Sequence, residues 1–209
     1  MTIQETLQAM QRQGYNPVRA PKVLSWGNHT ECANLFKQIM MAVDQSIKSY
    51  KHLPEYDDVI DWMTDTKGKG LLLMGDCGRG KSIITTGVIP FLLTSKGFTA
   101  KPIHADFFET PCKADWATEI QKPKNLDYLC QCAFPIIDEL GVEPKINDYG
   151  ERYEGFTKVI NVAEIKLKPL FVSTNLNKEQ LLARYDVRTF ERLVRLCRKV
   201  EFKGESLRQ

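Results

Sequence analysis

The chain has 209 residues, 43% of them hydrophobic and 26% charged, a composition typical of a globular protein with one α/β domain and a short extension. Its formal net charge of +3 is too small to indicate a nucleic-acid partner by itself. Apolar runs fall short of the roughly 20 residues that cross a membrane, and the amino terminus lacks the basic-then-apolar order of a secretion signal. We therefore expect a cytoplasmic protein that does not enter membranes.

The first 28 residues are weakly patterned. A short amphipathic helix is predicted over Thr2 to Gln13, after which Pro17 and Pro21 indicate an extended linker. We assign residues 1–28 to an amino-terminal extension. Its pattern is compatible with a partner-docking element and with a frayed terminus.

Two helices are predicted between this extension and the first strand. Thr30 is typical of a helix N-cap, and apolar residues then recur at helical spacing to about Lys51. Pro54 is typical of the first turn of a second helix. Both helices present one apolar face, so we expect them to pack on the sheet that follows.

The run from Gly75 to Ser82 fits the phosphate-binding pattern G-x-x-x-x-G-K-[ST], and it lies between a strand-like apolar run and a segment typical of a buried helix. Glycines let the backbone curl so that N–H groups point at an anion, and the helix start adds partial positive charge. Lys81 is expected to reach the β- and γ-phosphates of ATP, and the Ser82 hydroxyl to bind Mg²⁺. The residues expected to contact the nucleotide are Gly75, Asp76, Cys77, Gly78, Arg79, Gly80, Lys81, Ser82 and Ile83.

Strands and helices alternate after this loop, and Pro90 is expected to kink or shorten the first helix. Further strands are predicted over Phe98 to Ala105, Phe134 to Glu139, Pro169 to Ser173 and Val200 to Phe202, and helices over Asp106 to Leu129, Glu151 to Lys166 and Leu181 to Lys199. This order predicts a parallel five-stranded sheet with helices on both faces. Residues 29–209 then form one domain, in which helices of residues 29–66 precede a P-loop core of residues 67–209.

Two carboxylates follow an apolar strand about 55 residues after the P-loop. Asp138, at the carboxyl end of that strand, is expected to hold Mg²⁺ opposite Ser82. Glu139, beside it, is expected to orient and deprotonate an attacking water. The pair indicates ATP hydrolysis, which a small-molecule kinase does not need.

Asn175 follows the next predicted strand. It is expected to face the same crevice, because ligands of open α/β folds bind at the carboxyl edge of the sheet. Its amide would then position the attacking water. An equally good local interpretation is that Asn175 caps the turn that runs on to Asn177.

The last predicted helix has an apolar face and a basic face. The basic face carries Arg188, Arg192, Arg195 and Lys199. It is compatible with a solvated surface. It is equally compatible with an arginine that reaches a neighbouring subunit's ATP site while other cations contact a phosphate backbone.

Several runs in this order resemble the DnaC-like AAA+ ATPases, which include replicative helicase loaders and the IstB-type transposition helpers. The resemblance covers about residues 65–209 and implies a P-loop NTPase of the AAA+ ASCE type without a separate carboxyl-terminal lid. The runs are Gly75–Ser82, Ile136-Ile137-Asp138-Glu139-Leu140-Gly141, Ser173-Thr174-Asn175-Leu176, Arg188-x-x-x-Arg192-Leu193 and Phe202-x-Gly204-x-Ser206-x-Arg208.

The resemblance implies a role for each matching residue. Lys81 and Ser82 match Walker A, and Asp138 and Glu139 match Walker B. Asn175 matches sensor 1, and Arg208 matches the sensor 2-like arginine. Arg192 matches the arginine finger that acts on the adjacent subunit's nucleotide, with Arg188 as the alternative. The region from Phe107 to Leu129 corresponds to the insertion that lines the single-stranded DNA channel in loaders.

The function implied by the resemblance is that of an ATP-dependent DNA replication protein of the helicase-loader type. Such a protein binds ATP and Mg²⁺, assembles as a homo-oligomer with shared active sites on single-stranded DNA, and acts on a replicative helicase. The amino-terminal region matches neither the helicase-binding domain of loaders nor the amino-terminal region of transposition helpers, so it does not indicate the protein partner. An IstB-type transposition helper, which binds duplex DNA and recruits a transposase, is the alternative. A small P-loop kinase and a nucleotide-switched adaptor are the alternatives of another class.

Overall fold

The computed structural model describes residues 2–14, 20–110, 124–148 and 151–206. Part of the predicted linker around Pro17 and most of the predicted DNA-channel insertion lie outside these ranges. Among the residues described, no helix is long and apolar enough to span a bilayer.

Five parallel strands form the central sheet, in the order β2-β3-β6-β1-β7, which confirms the predicted sheet. The strands are β1 (Gly70–Gly75), β2 (Ile103–His104), β3 (Ile136–Asp138), β6 (Phe171–Thr174) and β7 (Cys197–Phe202). A separate antiparallel hairpin is formed by β4 (Ile146–Asp148) and β5 (Glu151–Tyr153). The central strand β1 pairs with β6 on one side and with β7 on the other.

Alternate side chains of β1 enter two hydrophobic cores, one on each face of the sheet. Leu71 and Leu73 pack against helices α2 (His29–Val43), α3 (Pro54–Thr64) and α5 (Ile89–Ser95). Leu72 and Met74 pack against α6 (Asn125–Gln131), α7 (Gly155–Ile165) and α8 (Lys178–Leu196). All four β1 side chains are at most 5% exposed. Helices therefore cover both faces, as predicted.

Helix α2 begins and ends earlier than its pattern predicts. Its N-cap is Asn28 and not Thr30, because Asn28 and Glu31 form a capping box in which each side chain accepts from the other's backbone N–H. It ends at Val43, because the Asp44 carboxylate accepts from the N–H and hydroxyl of Ser46 and so favours a turn over another helical residue. Helix α3 begins at Pro54 as predicted.

The helix after the P-loop changes its winding before Pro90. Lys81–Ile83 (α4) is α-helical, Ile84–Val88 forms a π-helical turn, and α5 resumes at Ile89. Pro90 therefore lies in the first turn of α5, where its missing N–H is tolerated best. The helix is therefore not shortened at Pro90: after the π-helical turn it continues to Ser95.

Several predicted boundaries are wrong. The strand from Phe98 shrinks to β2, and the described part of the segment from Asp106 to Leu129 holds only a 3₁₀ turn, Ala105–Phe107, and α6. Residues from Glu151 to Tyr153 pair as β5 in the hairpin and not as the start of α7. Long-range strand pairing, which local periodicity does not record, decided this last case.

Helix α8 consists of two halves that meet at Asp186. This residue has φ 70° and ψ 165°, a combination that non-glycine residues rarely adopt. The Asp186 carboxylate accepts from the Thr189 N–H at 2.7 Å and so caps the second half. Asn177 caps the start of α8.

At the amino-terminal end of the chain, helix α1 (Ile3–Arg12) buries none of its residues.

Gly70 and Gly97 offer a matched pair for testing how closely the central strands approach. A Cβ on Gly70 would lie 1.8 Å from the Leu170 carbonyl oxygen, whereas a Cβ on Gly97 would meet nothing within 4 Å. Gly70→Ala should cost about 4 kcal/mol or more of unfolding free energy. Gly97→Ala, whose φ is +80°, should cost only about 1–2 kcal/mol. Urea denaturation followed by circular dichroism measures both, and equal losses would contradict the observed strand spacing.

Candidate functional site

The parallel strands bring their carboxyl ends, and the polar residues that follow them, to one edge of the sheet. Strand β1 leads into the P-loop, β3 ends at Asp138, and β6 ends at Thr174. Because β6 pairs with both β1 and β3, it lies between the loop and the two carboxylates. Ligands of open α/β sheets bind at such an edge.

The P-loop curls through three glycines that take positive φ angles. These angles are 123° at Gly75, 76° at Gly78 and 91° at Gly80. A Cβ on Gly78 would lie 2.0 Å from the Ser206 hydroxyl oxygen, and one on Gly80 would lie 2.8 Å from the Tyr56 hydroxyl oxygen. Both the backbone conformation and the neighbouring side chains therefore require glycine.

Lys81 is held inside this loop. Its residue exposure is 6%, and its Nζ donates to the carbonyl oxygens of Gly75 at 2.8 Å and Asp76 at 2.6 Å. Burial lowers the pKa of Lys81, while nearby acidic groups, among them Asp138 and Glu139, raise it and partly offset that effect. The predicted Walker A cation and the two predicted Walker B carboxylates therefore share one electrostatic environment.

Arg79 ties the P-loop to two other parts of the chain. Its Nε donates to Glu55 Oε1 at 2.7 Å, its NH2 group lies 2.6 Å from the same oxygen, and its NH1 group donates to the Glu205 carbonyl at 3.1 Å. The Gly204 N–H donates to the Asp76 carboxylate at 3.1 Å. The Arg79 guanidinium is hydrogen-bonded to α3 and to the carboxyl-terminal segment. We therefore expect Arg79 to contact a nucleotide through its backbone N–H and not through its side chain.

Ser173 on β6 connects the two carboxylate-bearing residues. Its hydroxyl donates to Asp138 Oδ1 at 2.5 Å and accepts from the Glu139 N–H at 2.9 Å. Asp138 is buried at 6% exposure, whereas the Glu139 side chain is 39% exposed and its φ is 58°. One carboxylate is thus fixed in the sheet and the other projects at its open edge.

His104 is a site residue that the sequence analysis missed. It is the last residue of β2, opposite Asp138 in the parallel register, and its Nε2 lies 3.3 Å from Glu139 Oε2. Its Nδ1 accepts from the Asp106 N–H at 3.3 Å, which leaves Nε2 as the proton donor to Glu139. The available signal was its place near the carboxyl end of a predicted strand.

Asn175 is exposed at the end of β6, at the same edge as Asp138 and Glu139. In the turn after β6, the Leu176 N–H donates to the Thr174 hydroxyl at 3.1 Å. Asn177 caps the start of α8, where its Oδ1 accepts from the Gln180 N–H at 2.8 Å. Both roles of Asn175 stay predictions.

The two candidate finger arginines differ in their surroundings. Helical periodicity places Arg192 on the basic face, directed away from the core, but the structure holds it against its own subunit. Its side chain is 15% exposed, its Nε lies 2.5 Å from Glu164 Oε2 on α7, and it donates to Asn161. Arg188 is exposed. Arg188 is therefore the more exposed of the two arginines. Arg208 lies outside the described residues.

The donor set at this edge suits a magnesium-bound nucleotide. Within the described ranges no cluster of three or more histidine, cysteine or carboxylate side chains could hold a metal. Mg²⁺ needs only one or two protein oxygens when phosphates and waters supply the rest, and Ser82 and Asp138 offer a hydroxyl and a carboxylate. The curled glycine loop and its inward lysine suit the phosphates.

No family model matches the sequence, and no curated protein sequence is significantly similar. Solved structures are similar in fold. The DnaC helicase loader aligns with TM-score 0.56 and 16% identity over 78% of this chain and 98% of that one. DnaI aligns with TM-score 0.51 and 22% identity over 67% and 73%.

A protein proposed to be a primosome component, from Streptococcus pyogenes serotype M3, aligns with TM-score 0.50 and 20% identity over 87% of this chain and 84% of that one. At these identities the likeness concerns the fold. The chain therefore has the α/β fold of the DnaC and DnaI proteins, as the motifs that resemble the DnaC-like family predict.

Proposed function

We propose that the chain is an ATPase of the DnaC type that assembles on single-stranded DNA and acts on a replicative helicase. The observation that carries the proposal is the shared edge at which the buried Lys81 lies near the carboxylates of Asp138 and Glu139. The fold likeness to the DnaC helicase loader supports the replication role. DNA, the helicase and the oligomer remain parts of the proposal.

The proposed chemistry is the hydrolysis of the γ-phosphate. Lys81 binds the β- and γ-phosphate oxygens, and Glu139 accepts a proton from the attacking water as its oxygen bonds to phosphorus and the bond to ADP breaks. His104 holds the Glu139 carboxylate, and Asn175 orients the water. Mg²⁺ bound by Ser82 and Asp138 would neutralise charge on the phosphates.

An arginine from a neighbouring subunit completes the proposed site. Arg192 is the proposed finger and Arg188 the alternative. To act as the finger, Arg192 would have to leave its ion pair with Glu164 and bind a phosphate of the neighbouring subunit's nucleotide. Glu164 also lies 2.5 Å from Arg195, so it keeps a partner when Arg192 leaves. Arg208 is proposed as the sensor 2-like arginine on the resemblance alone.

The experiment that tests the function is ATP hydrolysis measured without DNA, with single-stranded DNA and with duplex DNA. We expect the largest rate with single-stranded DNA. Stimulation by duplex DNA alone would favour a transposition helper, and phosphate transfer to a small acceptor without DNA dependence would favour a kinase. ATP binding without turnover would favour an adaptor.

Two substitutions separate ATP binding from hydrolysis. Lys81→Ala should abolish ATP binding, since it removes the cation aimed at the phosphates. Glu139→Gln should bind ATP normally but slow hydrolysis by about 10²-fold or more, because an amide cannot accept the proton. Glu201→Gln, an exposed carboxylate change at β7, is the matched control and should leave both unchanged. Wild-type turnover by Glu139→Gln would contradict the assigned base.

The shared site is tested by mixing inactive variants. Arg192→Ala should fold and bind ATP but hydrolyse it about 10³-fold more slowly. Adding Lys81→Ala protein should restore activity, since a mixed pair joins an intact P-loop to an intact finger. Arg188→Ala is measured in parallel to decide between the arginines. Absence of recovery for both, in variants that co-assemble, would exclude a finger acting between subunits.

The predicted basic face is tested by the salt dependence of DNA binding. Its last residue, Lys199, lies in β7 and not in the helix as predicted, because α8 ends at Leu196 and the chain then pairs with β1. Arg195 and Lys199 pair with Glu164 and Glu201, so DNA would have to replace these carboxylates. Combined Arg195→Ala and Lys199→Ala should lower the slope of log affinity against log salt by about 0.7 per lost phosphate contact. Lys96→Ala, in the turn after α5, is the control because α5 lies on the other sheet face. An unchanged slope would exclude this face.

A further inference from the structure

Glu143 is a buried carboxylate that the proposed chemistry does not use. Its side chain has no exposed surface, and it lies four residues after Glu139. Its Oε2 accepts from the Gly141 N–H at 2.7 Å, and its Oε1 accepts from the Tyr185 hydroxyl. Arg184 lies 3.6 Å from Oε1 and donates to the Glu143 carbonyl at 2.5 Å. Groups from two separate segments therefore converge on this one residue.

The first segment is the loop that carries Glu139. The Val142 N–H donates to the Glu139 carbonyl at 3.3 Å, and the Leu140 N–H donates to the Ser173 carbonyl at 2.8 Å. Gly141 has φ 112°, and a Cβ there would lie 2.5 Å from Leu176. The loop is therefore closely held, and Glu143 forms its inner end.

The second segment is the break in α8. Tyr185 and Arg184 are the last two residues of its first half, and Asp186 follows with its rare backbone angles. The direction of the second half, which carries Arg188 and Arg192, is set at this residue.

A groove of about 720 Å³ opens between α7 and α8 beside the break, lined in part by Asn161, Arg184 and Asp186. On the α7 side, the Phe156 ring lies 5.3 Å from the Tyr185 ring and Glu154 lies 3.4 Å from Arg184. The contacts of Tyr185 and Arg184 with Glu143 connect the break to the loop that carries Glu139.

A purely structural role would not require a carboxylate here. Burying an ionised group is costly, and an apolar side chain of similar volume often stabilises a core as well or better. Burial, together with the Glu143 charge, raises the pKa of Tyr185, so its hydroxyl stays protonated and donates. The polar contact gives Tyr185 one defined position, which apolar packing specifies less sharply.

We infer that Glu143 is a positioning residue which, through Tyr185 and Arg184, sets the arginine-bearing half of α8 for the neighbouring subunit's site. The inference rests on the proposed shared site. It assigns Glu143 to the subunit that donates the arginine and not to the one that hydrolyses ATP. Loss of the contact should therefore impair donation while ATP binding in the same subunit persists.

The test uses two kinds of full-length subunit. Acceptors carry Arg188→Ala and Arg192→Ala with an intact P-loop, and donors carry Lys81→Ala with intact arginines. Adding Tyr185→Phe to the donor should lower the restored rate by about 10- to 100-fold, the scale expected for a misplaced catalytic group. Adding it to the acceptor should leave the restored rate within about twofold of the unmodified mixture, a change too small to count as misplacement. In the donor, Glu143→Gln should lower the restored rate in the same way.

Leu181→Ala is the matched control in the donor. Leu181 is buried in the same half of α8 and has an apolar side chain, so this variant loses stability without removing the hydrogen bond between Tyr185 and Glu143. An equal loss of rate with Leu181→Ala, or with Tyr185→Phe placed in the acceptor, would overturn the inference.

A second measurement does not depend on ATP hydrolysis. Amide hydrogen exchange over residues 187–196 should become several-fold faster in Tyr185→Phe, while exchange in α7 stays unchanged. Unchanged exchange in residues 187–196 overturns the inference whatever the mixtures show. Failure of the unmodified Lys81→Ala donor to restore any activity would instead count against the shared site, and the exchange result would then decide the role of Glu143.

Discussion

The parallel pairing of the five strands, with β1 between β6 and β7, brings the polar groups of the candidate site to one edge of the sheet. Helices bury β1 on both faces, so its alternate side chains enter two cores, and the P-loop follows at its carboxyl end. The same edge receives the ends of β3 and β6, because all five strands run in one direction. The glycine loop therefore meets the adjacent carboxylates of Asp138 and Glu139 at one crevice, although the loop and the pair are far apart in sequence.

Around that edge, most of the strong polar interactions join different segments of this chain. Arg79 connects the P-loop to α3 and the carboxyl-terminal segment, and Ser173 connects the carboxylate pair to β6. These contacts hold the phosphate loop and the carboxylates in place before any ligand binds. Preorganisation of this kind reduces the cost of ordering charged groups during a reaction.

Ion pairs within the chain also reduce the positive charge that the basic residues present to a partner. Arg192 and Arg195 are bound to Glu164, and Lys199 is bound to Glu201. A basic face read from helical periodicity is therefore largely neutralised by carboxylates that periodicity does not show. A phosphate, whether of a neighbour's nucleotide or of DNA, would compete with these carboxylates. The exposed pair of Lys199 with Glu201 is weak enough to exchange, whereas the pair of Arg192 with Glu164 is largely buried.

The sequence by itself determined the phosphate loop, the fold class and the carboxylate pair. Each depends on local features: glycine spacing, strand–helix alternation, and acids at the end of an apolar strand. The sequence also placed Asn175 at the correct strand end. Boundaries were less secure, since the end of α2 depends on the side chain of Asp44 and the start of α7 on the pairing of β5 with β4.

Only the tertiary structure decided which side chains meet across the chain. His104 contacts Glu139 through strand pairing, Arg192 is held by α7, and Glu143 joins the loop after β3 to the break in α8. These contacts depend on the packing of elements that lie far apart in the chain, and one side chain can meet many partners at such separations. Local patterns specify the elements and their polar ends, whereas burial and hydrogen-bond satisfaction in the folded chain select the partners.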